Sequence, residues 1–242
     1  MLTKAQGKYI RSLSTTEGRR AAAAFVVEGP KLVSEWLSYA PETVVEILAT
    51  DRWDGISGKK APLPQIQILR DSEMAALTQL KTPPAVLAVC RLSGEKPLLQ
   101  RGWTIACEAL QDPGNLGTIL RIADWYGVGQ VVCSEGSADF YNPKVVQAGM
   151  GAHLRVQTAT VNLPDFLEAT SLPVFAATLS GKNIHQTPPE QNGILLIGNE
   201  SKGLSERAIS AATHQVTIPR RGGAESLNAA VATGILLDRL LA

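Results

Sequence analysis

Residues 194–242 limit what this chain can fold into more than any other stretch: ILLIGNESKGLS, and soon after it HQVTIPRRGGAESLNAAVATGILLDRLLA. Two short apolar runs, 194–197 and 215–218, each end in a polar or glycine-rich loop, and a helical pattern follows the second. In an open α/β sheet, loops at the carboxyl ends of strands form the ligand crevice, because backbone N–H and C=O groups there are free to bind something other than a neighbouring strand. From Ser226 onward the sequence is apolar except for Asn228, Thr233, Asp238 and Arg239. A helix apolar nearly all round is buried on more than one side, so the end of the chain is expected to be core.

The remainder of the chain predicts what surrounds that end. After Trp103, strand-like runs recur at 104–110, 130–133, 154–158, 174–178, 194–197 and 215–218, with helical patterns between most of them. Such alternation calls for a mainly parallel sheet covered on both faces. Upstream, 25–27, 43–50 and 85–92 read as strands. Glu28-Gly29-Pro30 reads as a turn that sets proline at a first helical position, with Leu32, Val33, Trp36 and Leu37 on the buried face that follows. Asp71 or Ser72 is expected to cap a short helix running to Leu80. The polar, proline-interrupted stretch 93–102 reads as a linker. The expectation is an α/β chain with a small domain at 1–95, a linker at 96–102 and a larger domain at 103–242.

At 242 residues and 45% hydrophobic composition there is enough apolar material for a substantial core. No run approaches the roughly 18 consecutive apolar residues of a membrane span, so no membrane partner is expected. The net charge of +1 points to no particular partner, but its distribution does. Between Met1 and Ala24 the basic residues Lys4, Lys8, Arg11, Arg19 and Arg20 stand against Glu17 alone, a basic patch suited to nucleic acid, with a solvated flexible arm as the plain alternative. Cys90, Cys107 and Cys133 are odd in number, widely spaced and set in apolar runs. They read as buried small hydrophobes of a reducing cytoplasm, with neither a disulfide framework nor a metal site.

Three loops could carry chemistry. The first, QDPGNLGTILRIADWYG at 111–127, follows a strand. Asp112, Pro113 and Gly114 make a tight turn, Asn115 is placed to cap a helix, and Gly117 permits close backbone approach. Arg121 lies six residues past Asn115, where it is either a functional group or a snorkelling arginine that holds its helix. The second, GNESKGLSE at 198–206, presents backbone groups and Glu200, with Ser205 as a cap. In the third, IPRRGGAESLN at 218–228, Arg220 and Arg221 can meet phosphate, Gly222 and Gly223 loosen the loop, and Ser226 and Asn228 stand where a helix begins. Neither G-x-G-x-x-G nor G-x-x-x-x-G-K-[ST] occurs, which weakens both nucleotide-fold readings.

Taken together, Asn115-Leu116-Gly117 with Arg121, Gly198-Asn199-Glu200 with Gly203-Leu204, and Ile218-Pro219 followed by Ser226-Leu227-Asn228 resemble, in order and spacing, the three signature motifs of the SpoU/TrmH family of RNA ribose methyltransferases in the SPOUT superfamily. The resemblance spans 103–242, and the FVVEG-K-LV stretch is similar to the RNA substrate-binding domain that accompanies many members. It implies a deep trefoil knot at the C-terminus, S-adenosylmethionine held by the knot loops, and a homodimer. It also implies that Gly198, Ile218 and Leu227 hold the cofactor, with Thr178 and Leu179 near its adenine. Arg121 would be the central catalytic residue, and Asn115, Glu200, Ser226 and Asn228 would shape the site. Two positions depart from the family pattern: Ser201, where glycine is common, and Arg220, where methionine often stands.

The resulting expectation is methyl transfer from S-adenosylmethionine to a ribose 2′-hydroxyl in structured RNA, with rRNA placed ahead of tRNA. Arginine is a poor literal base because its pKa is above about 12. Arg121 is expected instead to hold substrate phosphate and stabilise the developing alkoxide, with Glu200, a substrate phosphate or water as proton acceptor. The rivals are an RNA-binding ribosome-assembly factor on the same fold without methyl transfer, and a base methyltransferase on a related knotted fold. The presence of both Asn115 and Arg121 argues against the first, and the Ser226/Asn228 pair, which resembles the 2′-O branch, argues against the second.

Overall fold

The computed structural model describes residues 2–55, 65–94 and 96–242. The chain divides into two units, Met1–Gly94 with Tyr141–Leu154, and Glu95–Phe140 with Arg155–Ala242. The expected division at 1–95 and 103–242 therefore differs in one respect: a segment from the middle of the chain returns to the first unit.

That unit begins with two helices, α1 (Lys4–Ser12) and α2 (Thr16–Ala22). Each starts at a threonine hydroxyl, Thr3 accepting from the Gln6 N–H and Thr15 from the Gly18 N–H, a cap that typically contributes about 1 kcal/mol. The N-terminus is thus folded helix, not a loose arm. Then come β1 (Ala24–Glu28), α3 (Pro30–Tyr39), β2 (Val44–Ala49), β3 (Ile66–Ile68), α4 (Asp71–Ala75) and β4 (Val86–Arg91). The sheet order is β1-β4-β2-β3, with β4 antiparallel to both neighbours and β2 parallel to β3. Side chains alternate across the sheet. Phe25, Val27, Val86, Ala88 and Cys90 pack beneath Leu32, Val33, Trp36 and Leu37 of α3. Ala24, Val26, Leu87 and Val89 pack on the opposite face with Ile10, Leu13 and Met74. Both faces are covered, which is why these strands read as unbroken apolar runs.

Two expectations change here. Helix α4 starts after Arg70, whose backbone N–H donates to Glu73 at 2.9 Å, and it ends at Ala75 instead of reaching Leu80. The short edge strand β3 escaped the pattern because three residues are too few for a period to register.

The second unit contains β5 (Trp103–Cys107), α5 (Pro113–Tyr126) and β6 (Gln130–Ser134). Helix α6 (Pro143–Gly149) lies in the returning segment, where Val146 joins the core of the first unit. There follow β7 (Gln157–Val161), α7 (Leu163–Ala169), β8 (Val174–Asn183), β9 (Gly193–Ile197), α8 (Glu206–Ser210), β10 (His214–Thr217) and α9 (Ala229–Leu240). All pairings in the sheet β10-β8-β9-β5-β6-β7 are parallel, as the alternating pattern predicts. One face is closed by Leu163 and Leu167 of α7 and Ala208 of α8. On α9, Leu236, Leu237 and Leu240 are buried, so the end of the chain is core.

Strand β7 begins three residues later than expected, because Ala152–Leu154 forms a 3-10 turn after a left-handed Met150 and Leu154 packs into the first unit. The stretch read as a linker, 96–102, is fastened to the second unit. Leu99 N–H donates to the Gln130 side chain at 2.8 Å, Gln157 donates to the Pro97 carbonyl at 2.8 Å, and Gly102 N–H donates to Asn192 at 2.8 Å. Pro97 and polar residues suggested a tether, but its backbone groups are taken by side chains of the parallel-sheet unit.

Candidate active site

The chain runs outward through β5, β6 and β7, then returns to the other side of β5 for β8, β9 and β10. The order reverses between β5 and β9, and in parallel sheets the loops leaving such neighbours enclose a crevice. The first two motif loops leave these strands, and the third leaves β10.

Helix α5 is capped by Asp112, whose carboxylate accepts from the Asn115 N–H at 2.7 Å, with Pro113 in the first turn. Asn115, the expected cap, therefore has its carboxamide available for other contacts. Its Nδ2 donates to Glu200 Oε1 at 3.1 Å, and its Oδ1 accepts from Asn228 Nδ2 at 2.7 Å. Asn228 is itself the cap of α9, its Oδ1 accepting from Ala230 and Val231 N–H groups. Capping thus belongs to Asn228, while the exposed Ser226 hydroxyl makes no hydrogen bond among the described residues. One chain of side chains, Glu200–Asn115–Asn228, joins all three motif loops.

Glu200 also accepts from the Asp112 N–H at 3.2 Å and the Gln111 N–H at 3.4 Å. Burial pushes its carboxyl up, but the hydrogen bonds from its own backbone, Asn115, Asp112 and Gln111 outweigh this and hold it below the usual carboxylate range. The sign follows from linkage: the ionised form and the contacts it accepts are complete above the ordinary carboxylate pKa and are lost as pH falls through the depressed value. A carboxylate that accepts from Gln111, Asp112 and Asn115 is a firm anchor for the first motif loop. Beneath it, Cys107 on β5 lies opposite Cys133 on β6. The hydrogen bond with Cys133, burial, and the charges of Cys133 and Glu200 raise the Cys107 thiol well above its ordinary pKa. It stays protonated, as its reading as a small hydrophobe implies.

The second loop is folded tightly. Asn199 and Gly203 exchange N–H to C=O bonds at 3.0 and 2.9 Å, and Asn199 Oδ1 accepts from Ser201 and Lys202 N–H groups. Ser205 caps α8 as expected, and the Glu108 carboxylate accepts from its N–H and hydroxyl, both at 2.7 Å. Gly198 lies so close to this turn that an added Cβ would sit 2.3 Å from the Gly203 carbonyl carbon.

Of the residues expected to hold a cofactor, Thr178 and Leu179 follow the break in β8 pairing, Gly198 and Ile218 directly follow β9 and β10, and Leu227 precedes α9. Thr178 Oγ1 on β8 is buried without a hydrogen-bond partner, whereas Leu179 is 77% exposed. Pairing of β8 with β10 steps from Ala176↔Gln215 to Lys182↔Val216, leaving residues 177–181 outside the ladder. Gly181 makes this possible, since a Cβ there would lie 2.5 Å from the Gln215 carbonyl carbon. The strand-like run in the sequence ends at 178, so this glycine inside β8, a mark of close backbone approach, went unread. In the third loop, residues 218–227 make no backbone-to-backbone hydrogen bond among the described residues outside strands and helices, so their polar groups are available to a bound molecule. Arg220 donates to the Ala224 carbonyl at 3.3 Å, and Arg221 is exposed. A buried hydroxyl without a partner, two glycine-dependent backbone approaches and a loop without backbone pairing fit a small polar ligand held by backbone groups.

Arg121 lies on the exposed side of α5, in line with Gly114, Thr118 and Trp125, and makes no hydrogen bond or ion pair among the described residues. A snorkelling arginine keeps its charged head in water and shows no such partner either, so substitution is what tells the two roles apart. At about 1.5 Å per residue it stands roughly 9 Å along the helix axis from Asn115.

In the first unit the basic residues separate. Lys4, Lys8 and Arg11 occupy one exposed stripe of α1 at helical spacing, and Arg20 is exposed on α2. Arg19 corrects the expectation: it is 1% exposed, donating to the Leu13 carbonyl at 3.0 Å and to Thr16 Oγ1 at 3.1 Å. Its guanidinium is spent on the connection between α1 and α2 and is not available to phosphate. Among the described residues no group of His, Cys, Asp and Glu is arranged to hold a metal ion, and no helix is long and apolar enough to cross a membrane.

A family model described as the SpoU rRNA Methylase family matches residues 102–238. The 23S rRNA (guanosine(2553)-2'-O)-methyltransferase RlmP of Bacillus subtilis (strain 168) is 33% identical over 234 residues, covering 95% of this chain and 93% of the relative. Among solved structures, one described as an RNA methyltransferase of the TrmH family from Porphyromonas gingivalis has a TM-score of 0.89 at 37% identity, covering 100% of this chain and 98% of that one. An AdoMet-bound rRNA methyltransferase from Sinorhizobium meliloti has a TM-score of 0.85 at 26% identity, covering 99% and 95%.

Proposed function

Because the chain belongs to the SpoU rRNA methylase family, we propose that it transfers a methyl group from S-adenosylmethionine to a ribose 2′-hydroxyl in structured RNA, with rRNA as the substrate. The Glu200–Asn115–Asn228 chain carries this reading, because it brings three loops distant in sequence into one polar site at the strand ends. A factor that only bound RNA would need no such assembly, and the similar proteins above are described as methyltransferases.

The cofactor, when bound, supplies an electrophilic methyl on sulfonium. The protein's part is alignment and charge. Backbone groups at Gly198, Ile218 and Leu227, together with Thr178 and Leu179, would hold the cofactor. Arg121 grips the substrate phosphate and stabilises the oxygen as its proton leaves, and Ser226 faces the substrate with a free hydroxyl. Glu200 and Asn228 fix Asn115. The proton acceptor is Glu200, a substrate phosphate or water. Purified protein, labelled S-adenosylmethionine and RNA from cells lacking the gene provide the test: label at one ribose 2′-oxygen is expected, and no transfer to any RNA overturns the reading.

The deep trefoil knot is part of the same proposal, supported by family membership and by the break in pairing between β8 and β10. So is a reducing cytoplasmic setting, in keeping with three free, buried cysteines. A homodimer is proposed as well. Trp125 near the end of α5 is 85% exposed, and Leu227 and Val231 are exposed around the start of α9, apolar side chains that a second copy would cover. Light scattering is expected to give twice the chain mass for the wild type and a smaller mass for Trp125→Glu; a monomeric wild type removes the claim.

The first unit, with Lys4, Lys8, Arg11 and Arg20, is proposed to hold RNA by its phosphates, joined in the second unit by Arg220 and Arg221. Replacing Lys4, Lys8 and Arg11 with glutamine should weaken RNA binding and reduce its log–log salt slope by about 0.7–0.9 per lost contact. Unchanged affinity and slope would exclude this stripe. Arg19→Gln should act differently, lowering the melting temperature because it empties a buried site.

A further inference from the structure

Three described residues other than glycine have positive φ: Ala23 at 46°, Ala109 at 50° and Met150 at 47°. Ala23 and Met150 end helices, where a left-handed residue is an ordinary stop. Ala109 follows a strand, so no helix end accounts for it. A residue with a Cβ enters this region at a cost from crowding against its own backbone, and it stays there only where the surroundings hold it.

The surroundings of Ala109 are specific. Its N–H donates to Ser134 Oγ at 2.8 Å, and its carbonyl accepts from Asn199 Nδ2 at 2.8 Å. The next N–H, of Leu110, donates to Ser137 Oγ at 3.2 Å, and the Leu110 carbonyl accepts from the Ala138 N–H at 2.8 Å. Ser134 is fixed in turn, its hydroxyl donating to the Glu135 carbonyl at 3.1 Å. All four backbone polar groups of Ala109 and Leu110 are therefore gripped from the end of β6, the loop after it and the loop after β9. Immediately beyond them, Gln111 and Asp112 give their N–H groups to Glu200, and α5 begins with Asn115 in its first turn.

We propose that Ser134 and Ser137 are positioning residues for methyl transfer: with Asn199, they lock Ala109 in the left-handed conformation that delivers Gln111, Asp112 and Asn115 to Glu200. Neither serine touches the Glu200–Asn115–Asn228 chain, and both act through the backbone of residues 109–110. The inference rests on the reading of that chain as part of the transfer site.

The test exploits the one residue that needs no lock. Ser134→Ala/Ser137→Ala should lower the single-turnover rate at least about tenfold, within the roughly hundredfold that ångström-scale misplacement can cost. S-adenosylmethionine affinity should hold, since the cofactor loops are not gripped by these serines. Adding Ala109→Gly to the double variant should restore most of the rate, because glycine adopts positive φ without crowding. Ser134→Thr, which keeps the hydroxyl, should stay near wild type. Hydrogen exchange over residues 109–115, measured on the full chain without RNA, should accelerate in the double variant and slow again with glycine. An unchanged rate and exchange in the double variant, or a loss that glycine does not rescue, overturns the lock. If the wild type itself transfers no methyl, the functional reading fails, and the exchange measurement alone decides whether the lock exists.

Discussion

Arg121→Ala is expected to reduce methyl transfer by at least about a hundredfold, the scale for removing one electrostatic stabiliser from a reaction site, while leaving melting temperature and S-adenosylmethionine affinity near wild type. Arg121 is exposed and has no hydrogen bond or ion pair among the described residues, so its removal breaks no polar contact that holds α5. The helix is anchored elsewhere, by Asp112 at its start and by buried Leu116, Ile119, Leu120 and Ala123 along its inner face. Exposed substitutions of this kind usually change stability by no more than about 0.5 kcal/mol. Arg121→Lys should rescue little, because an ammonium does not reproduce the planar fork that grips two oxygens at once. If Arg121 were instead holding its helix, melting temperature and every activity would fall together. Melting, cofactor calorimetry and single-turnover transfer on one sample separate the two patterns, and near-wild-type transfer removes Arg121 from the mechanism.

Much of the fold was legible because the apolar runs are long enough to carry a period. The central strands β5 and β9 are buried along their whole length, and continuous apolar runs bounded by glycine and polar residues predict that. Elements whose conformation depends on distant partners were not legible. Residues 152–154 continue an apolar pattern but turn as 3-10 helix into the first unit. The linker-like stretch 96–102 is decided by Gln130, Gln157 and Asn192, at least 31 positions away in sequence. Arg19 looks like its basic neighbours until the fold places the Leu13 carbonyl beside its guanidinium. The site shows the same division. Asn115, Glu200 and Asn228 were recognisable as a set because their motif spacing resembles a known family. That Asp112 does the capping, leaving Asn115 to bridge the other two, is a matter of side-chain direction that spacing does not carry. Ser134, Ser137 and Asn199 act through the backbone of Ala109, and a left-handed alanine leaves no mark in a sequence.

Gly198→Ala should produce the opposite signature to Arg121→Ala: lower stability, weakened cofactor binding and lost transfer together. A Cβ at this position would lie 2.3 Å from the Gly203 carbonyl carbon, 2.5 Å from the Leu204 nitrogen and 2.6 Å from the Gly203 oxygen. All three are backbone atoms, so no side chain can swing aside. The turn has little room to retreat, because Gly203 is paired twice with Asn199 and the following Ser205 is tied to Glu108 by two hydrogen bonds. Relief must come by opening the Asn199–Gly203 pairing. That would shift Glu200, the next residue, and loosen the Asn199 grip on the Ala109 carbonyl. Overpacking of this kind typically costs about 1–3 kcal/mol, which in a chain of this size corresponds to roughly 2–4 °C of melting temperature per kcal/mol. Gly223→Ala is the control from the third loop, since a Cβ there meets nothing within 4 Å, and its melting temperature should not move. If Gly198→Ala melts and binds S-adenosylmethionine as the wild type does, the turn is more yielding than its hydrogen bonds imply, and Gly198 does not determine how the loop presents Glu200 or its own backbone to the cofactor.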